Sequence, residues 1–245
     1  MFRTLTILEL KLQLRNFFTV FFALAFPVLM LAVFGTMYGN EPSAVTGDKG
    51  AVDLMLPAYA CMIVAVTSIM SLPLTVATYR EQKILKRFMA TPIQPLQILL
   101  SQVLVNCITT LGGIALLLIA ARLLYNVQFL GSVLPSLIAF LLVMASMFSL
   151  GLVIAGVTPN AKAASSLAYI IYFPMLFLSG ATIPLYIMPK AMVTMANFLP
   201  LTHGVKLLSG VWLGGRLFDY GLELAVLGAV MLVCLGAALR FFRWE

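Results

Sequence analysis

Residues 79–97 read YREQKILKRFMATPIQPLQ, and their place between two long apolar runs decides how the rest of the chain is laid out. Arg80, Lys83, Lys86 and Arg87 crowd together with Glu81 as the acid among them. Pro92 then disfavours helical geometry at Thr91, and Pro95 repeats the break. A short basic helix closed by a proline turn, held between two membrane spans, reads as a cytosolic docking element. Basic residues beside a span also sit on anionic headgroups at roughly 1 kcal/mol each, and the two roles coexist.

Working outward, composition excludes a water-soluble domain. Of 245 residues, 62% are hydrophobic and 9% charged, with mean hydropathy +1.09, whereas soluble domains carry roughly 25% charged residues. The fold class expected is an all-α integral membrane protein forming a single transmembrane domain over residues 1–245. The net charge of +7 in a soluble protein would suggest nucleic acid. Here it follows from basic residues flanking spans, and no nucleic-acid partner is expected. Cys61, Cys107 and Cys234 each lie alone in an apolar run, so neither a metal site nor a disulfide framework is indicated. The amino-terminal apolar run starts late and is too long for a signal peptide.

Before the docking stretch, residues 3–16 (RTLTILELKLQLRN) alternate apolar and polar side chains like a strand. A lone strand at a membrane leaves its edges unpaired. The expectation is therefore a helix lying along the interface, with Arg3, Lys11 and Arg15 toward headgroups. Residues 17–38 form a first span of sufficient length for a hydrocarbon core about 30 Å thick, with Pro27 tolerated inside it. Residues 39–53 read as a polar loop, and 54–78 as a second span interrupted by Pro57 and Pro73. After the docking stretch come a third span at 98–121, with Gly112-Gly113 allowing close helix approach, and a hairpin at 122–131. A fourth span covers 132–157, a TPNAK turn 158–162, and a fifth span 163–183. Residues 184–215 are apolar but broken by Pro184, Pro189 and Pro200, which fits a pair of short re-entrant or interfacial helices. A sixth span at 222–239 follows.

Orientation rests on the positive-inside rule. Arg3, Lys11, Arg15, Arg80, Lys83, Lys86, Arg87, Lys162, Arg240 and Arg243 fall on one side, and Lys49, Arg122, Lys190, Lys206 and Arg216 on the other. The excess places both termini in the cytoplasm and residues 184–215 on the outer face.

Several chemistries lack their residues. No phosphate loop occurs, so this chain shows no means of gripping nucleotide and is not expected to be an enzyme. No carboxylate, Lys or Arg sits mid-span, as ion-coupled carriers usually require. His203 is the one imidazole, and a structural hydrogen-bonder explains it better than a catalytic base. With no charge inside a span, nothing demands a charged substrate, and an amphiphile (a drug, antibiotic or lipid) fits the composition.

Two sets of residues carry a family likeness. One is Tyr79-Arg80-Glu81 through Lys86-Arg87, Ala90-Thr91-Pro92 and Gln94-Pro95. The other is Pro174 through Ser179-Gly180, Ile183-Pro184, Met188-Pro189 and Pro200-Leu201-Thr202. In this order, in a six-span chain, they resemble the permease subunit of type-2 ABC exporters, in the drug or lipid branch. The resemblance implies an ATP-driven exporter in the cell membrane of a bacterium, built on a homodimer of permeases. It also implies two copies of a separate ATP-binding cassette subunit, where ATP and Mg would be held. Tyr79, Arg80, Glu81, Lys83, Lys86, Arg87, Thr91 and Pro92 would couple to that ATPase. Ser179, Gly180, Pro184, Pro189, Pro200, Leu201 and Thr202 would form the outer gate. The path would run between the copies along spans one, two and five, with Phe21, Phe22, Phe26, Tyr172, Phe173 and Met175 as lining candidates. An ion-coupled carrier or channel without an ATPase, and a polysaccharide or lipid-linked glycan exporter, are the competing readings.

Overall fold

The structure, a computed structural model, describes residues 2–41, 50–84, 95–182 and 188–241. The alternating stretch at the amino terminus is a helix, α1 (Phe2–Arg15). Asn16 ends it and caps the next helix by accepting from Thr19 N at 3.3 Å. That helix, α2, runs over residues 17–38. Then come α3 (Ala51–Glu81), α4 (Pro95–Tyr125), α5 (Val133–Val157) and α6 (Ala161–Leu178). Two short helices, α7 (Lys190–Ala196) and α8 (Pro200–Trp212), precede α9 (Gly221–Phe241). Among the described residues six helices are long and apolar enough to cross a membrane, and the fold is the all-α membrane class expected.

Helix α3 is the axis of the bundle. In its most apolar window 89% of residues are buried, against 11% for the last span. Around it pack α2, α4, α5 and α8, while α9 lies along the outside of α5. The main core joins Cys61, Met62, Ile69, Val143, Met147, Tyr172 and Leu207.

Pro27, expected to be tolerated, and Pro73, expected to interrupt its span, are both absorbed by local widening. A π-helical turn at Phe21–Ala25 precedes Pro27, and another at Val66–Ser71 precedes Pro73. Proline has no N–H to give the carbonyl one turn back, and its ring crowds that carbonyl. The wider turn opens room there. Glycines of neighbouring spans fill it: a Cβ on Gly113 would clash with the Ala23 carbonyl, and one on Gly151 with the Ser68 carbonyl. Gly112, by contrast, faces open space. Pro57 sits inside the α-helical first part of α3, with no π-helical turn beside it.

Several boundaries differ from the sequence expectation. The polar loop is shorter at its far end, because α3 begins at Ala51 and takes Asp53 into its first turn, buried. The second span runs on to Glu81, so the docking stretch starts as the last turn of a membrane helix rather than as a separate one. Helix α4 continues to Tyr125 and shortens the hairpin. The fifth span ends at Leu178, not 183, since Gly180 adopts φ +89° and Ser179 Oγ accepts from Ala181 N. The 184–215 region does contain two short helices, and α8 is the more buried, with Leu201, Thr202 and Leu207 sealed from solvent.

The two ends of the bundle are knitted differently. At one end Asp53 Oδ1 accepts from Asn40 Nδ2 and Gln128 N, and Asn40 Nδ2 also donates to the Tyr125 carbonyl. At the other end meet α1, the end of α3 and the α5–α6 turn.

Candidate functional site

That second end carries the docking residues. Arg80 is 9% exposed and donates through Nη1 to the carbonyls of Ala155 and Thr158. These carbonyls close α5, where a helix presents its negative pole and unpaired acceptors. Glu81 Oε2 accepts from Ala161 N at 2.9 Å, in the first turn of α6. Asn160 completes that turn as the N-cap, accepting from Ala163 N at 2.8 Å. A cation on one helix C-terminus and an anion on the next N-terminus thus pin the last turn of α3 across the α5–α6 elbow. Tyr79 turns the other way, its hydroxyl donating to Glu9 Oε2 of α1 at 2.6 Å. Lys83 takes a left-handed conformation (φ 56°) and turns the chain out of the helix. Lys86, Arg87, Thr91 and Pro92 lie outside the described residues.

Within the gate group, Ser179 is fully buried, and Thr182 Oγ1 donates to the Leu176 carbonyl. Pro189 caps α7 and Pro200 opens α8, positions where a missing N–H costs nothing. Leu201 and Thr202 are buried in the first turn of α8, while Pro184 lies outside the described residues. His203 Nε2 donates to the Asn197 carbonyl at 2.8 Å and closes the α7–α8 turn.

The path candidates fall into two environments. Phe21, Phe22 and Phe26 form a ring ladder along the π-helical turn of α2, with centroids 5.2 and 5.4 Å apart. Tyr172 and Met175 are buried at 1% and 4% exposure in the main core, and Phe173 beside them is 43% exposed.

Sequence reading placed no buried charge, and here the structure corrects it: Glu9, Asp53 and Arg80 are all buried, at 5–9% exposure. Asp53 lies in the first turn of α3 and Arg80 in its last, while Glu9 sits midway along α1, which precedes the first span, and none of the three is mid-span. A polar seam was also missed. Gln13 Nε2 donates to Asn106 Oδ1 at 3.0 Å and to Ser71 Oγ at 3.4 Å, and Thr67 and Thr110 hydroxyls meet at 2.7 Å. Its signal was available in the spacing, since Glu9 and Gln13, and Gln102, Asn106 and Thr110, recur every four residues along one helix face.

Comparison with known proteins agrees with this architecture. The family described as ABC-2 type transporter matches residues 1–213. A relative in Dictyostelium discoideum, ABC transporter G family member 20, is 29% identical over 186 residues, 74% of this chain and 24% of that protein. Nodulation protein J of Rhizobium leguminosarum bv. trifolii is 34% identical over 109 residues, 44% of this chain and 41% of its own. Nodulation protein J of Rhizobium meliloti (strain 1021) is 25% identical over 220 residues, 89% of this chain and 81% of its own. The matched region therefore spans a quarter to two-fifths of the first two relatives and most of the third.

Proposed function

This chain belongs to the ABC-2 type transporter family, and from that premise we propose that it is the membrane permease of an ATP-driven exporter moving an amphiphile outward. Nucleotide chemistry belongs to a separate ATP-binding cassette subunit, two copies of which, holding ATP and Mg, serve a homodimer of this chain. The membrane is the cell membrane of a bacterium, with both termini cytoplasmic.

The observation that carries the reading is the knot at Arg80 and Glu81. A pull on the loop that follows them is delivered to α3 and, through the bonds to Ala155, Thr158 and Ala161, to α5 and α6 as well. Helices move as rigid rods because their backbone hydrogen bonds are internal, so three spans would respond as one body. In this reading Arg80 and Glu81 are positioning residues that hold the coupling loop on the bundle. Lys83, Lys86, Arg87 and the Thr91-Pro92 turn are the groups that meet the ATPase. Ser179 through Thr202 would close the outer end, and the aromatic ladder at Phe21, Phe22 and Phe26 would border the path with Phe173.

The test is purification of this chain from its membrane in mild detergent. A stoichiometric ATP-binding subunit is expected, with ATPase activity lost or no longer responsive to the permease in Arg80→Glu and Glu81→Lys. Wild-type ATPase activity in both variants sinks the coupling assignment. A homo-oligomer without an ATPase, combined with ion-driven flux in vesicles, sinks the exporter reading.

A further inference from the structure

Between α1, the end of α3 and the start of α4 lies a cavity of about 280 Å³, lined by Glu9, Gln13, Asn16, Thr75, Thr78 and Gln102 among others. Among the described residues its lining carries one carboxylate and no Lys or Arg, in a chain of net charge +7. Glu9 is 5% exposed, and its Oε2 accepts from the Tyr79 hydroxyl. One neutral hydrogen bond leaves a buried carboxylate poorly compensated, because desolvation of a charge is offset only by a countercharge or several donors. Thr75 and Thr78 donate their hydroxyl protons back to the carbonyls of Ser71 and Leu74, so each keeps lone pairs for an outside donor. Gln13 likewise uses its amide N–H on Asn106 and Ser71, which leaves its carbonyl oxygen as an acceptor.

A second cavity of about 270 Å³ continues from the first, sharing Asn16, Thr19, Ser71 and Leu74. Its further walls are mostly apolar: Val66 and Met70 of α3, and Ala168 with Tyr169 of α6, joined by the Ser165 hydroxyl. A chamber with one carboxylate and several acceptors, and with the unpartnered Gln102 amide N–H as a donor in its wall, therefore opens into a mostly apolar one.

We infer that the paired cavities bind an amphipathic cation, its ammonium head against Glu9 and its hydrocarbon tail along Met70 and Tyr169. This names the substrate class for the permease proposed above and rests on that reading. The head would sit at the end of the bundle where the coupling residues lie, and the tail would point toward the spans assigned to the path. The ammonium chemistry is shared by an exported amine and by a phosphatidylethanolamine headgroup.

The test is direct binding to the full chain in nanodiscs of phosphatidylcholine and phosphatidylglycerol, with empty nanodiscs as blank and no ATP. The probe is N-dansyl-1,10-diaminodecane, compared with its N-acetylated, uncharged counterpart. The ammonium probe should bind at least tenfold more tightly than the acetylated one, and Glu9→Gln should erase the difference. Leu74→Trp, at the junction of the two cavities, should weaken both probes. Equal affinity of the two probes for the wild type overturns the inference, whatever the variants do. So does unchanged ammonium binding in Glu9→Gln. Should that variant not fold, carbodiimide coupling of the probe amine to the wild type locates the nearest carboxylate by mass spectrometry, and an adduct anywhere but Glu9 overturns the site. Displacement of the probe by added phosphatidylethanolamine assigns the site to membrane lipid, and undisturbed binding assigns it to exported cargo. Because no ATPase enters the measurement, failure here leaves the permease reading standing, and loss of the ATPase in purification leaves the site standing.

Discussion

Gly151 illustrates how much of this bundle hangs on single atoms. Its missing Cβ lets α5 lie directly on the Ser68 carbonyl, at the π-helical turn that accommodates Pro73. Gly151→Leu is expected to destabilise the fold by about 1–3 kcal/mol or more, the usual cost of forcing atoms into a packed interior. Heat-induced exposure of the Cys61 thiol, fully buried at the bundle axis, measures it in a variant lacking the other two cysteines. His203→Ala is expected to leave the Asn197 carbonyl without its donor, a loss of about 1–3 kcal/mol. The same thiol assay reports it, and transport should survive. Abolished transport in a folded His203→Ala protein would instead give the imidazole a chemical part. In sequence, Gly151 was one small residue among many in a span. What made it necessary was the π turn on another helix 80 residues away, which no local pattern encodes.

At the scale of elements, the last turn of α3 and the α5–α6 elbow act as one unit. If the tie through Arg80 and Glu81 is a permanent joint, a short bis-methanethiosulfonate bridge between cysteines at positions 81 and 161 should leave ATP-driven export intact. Export that is present in the unbridged double-cysteine protein and abolished on bridging would mean that the two elements separate during the cycle. Helix α1 makes a complementary point about legibility. Its alternating Leu8, Leu10, Leu12 and Leu14 suit a strand, yet it is helical because a solitary strand cannot satisfy its backbone beside a membrane. That much could be reasoned from sequence. Its packing against α4 could not, and that packing turns Glu9 and Thr6 inward while Leu8, Leu12 and Leu14 stay exposed. The two short helices in 184–215 were legible from Pro189 and Pro200, because proline suits a helix start. The fifth span was overestimated by five residues, because Ala181 and Thr182 are apolar enough to extend it on paper while Gly180 ends it in space.

Across the whole molecule, two polar clusters mark the two ends of the bundle. Glu9, Tyr79, Glu81 and the 158–161 turn converge at one pole, and Asn40, Asp53, Tyr125 and Gln128 at the other. In the orientation proposed above, the first pole faces the cytoplasm, as the excess of Lys and Arg in the flanking sequence predicts. In intact cells, an impermeant thiol reagent should label a cysteine placed at Lys190 and spare one placed at Lys162. Labelling at Lys162 with protection at Lys190 would invert the topology and, with it, the direction of export.

Composition and hydropathy alone determined that this chain is a six-span helical membrane protein with a basic loop after its second span. The reason is that the bilayer imposes one demand, internal hydrogen bonding over a set length of apolar residues, and that demand is local along the chain. The ordered motifs at 79–95 and 174–202 were enough to point to its family. Only the tertiary structure decided what those residues touch. Arg80 and Glu81 look like surface charges in sequence, but they close two helix ends 75 to 80 residues further on. Glu9 looks like one face of an interfacial helix, but it forms the charged wall of a cavity. Both depend on which helices lie side by side, and helix faces of similar hydropathy carry no mark of their neighbours.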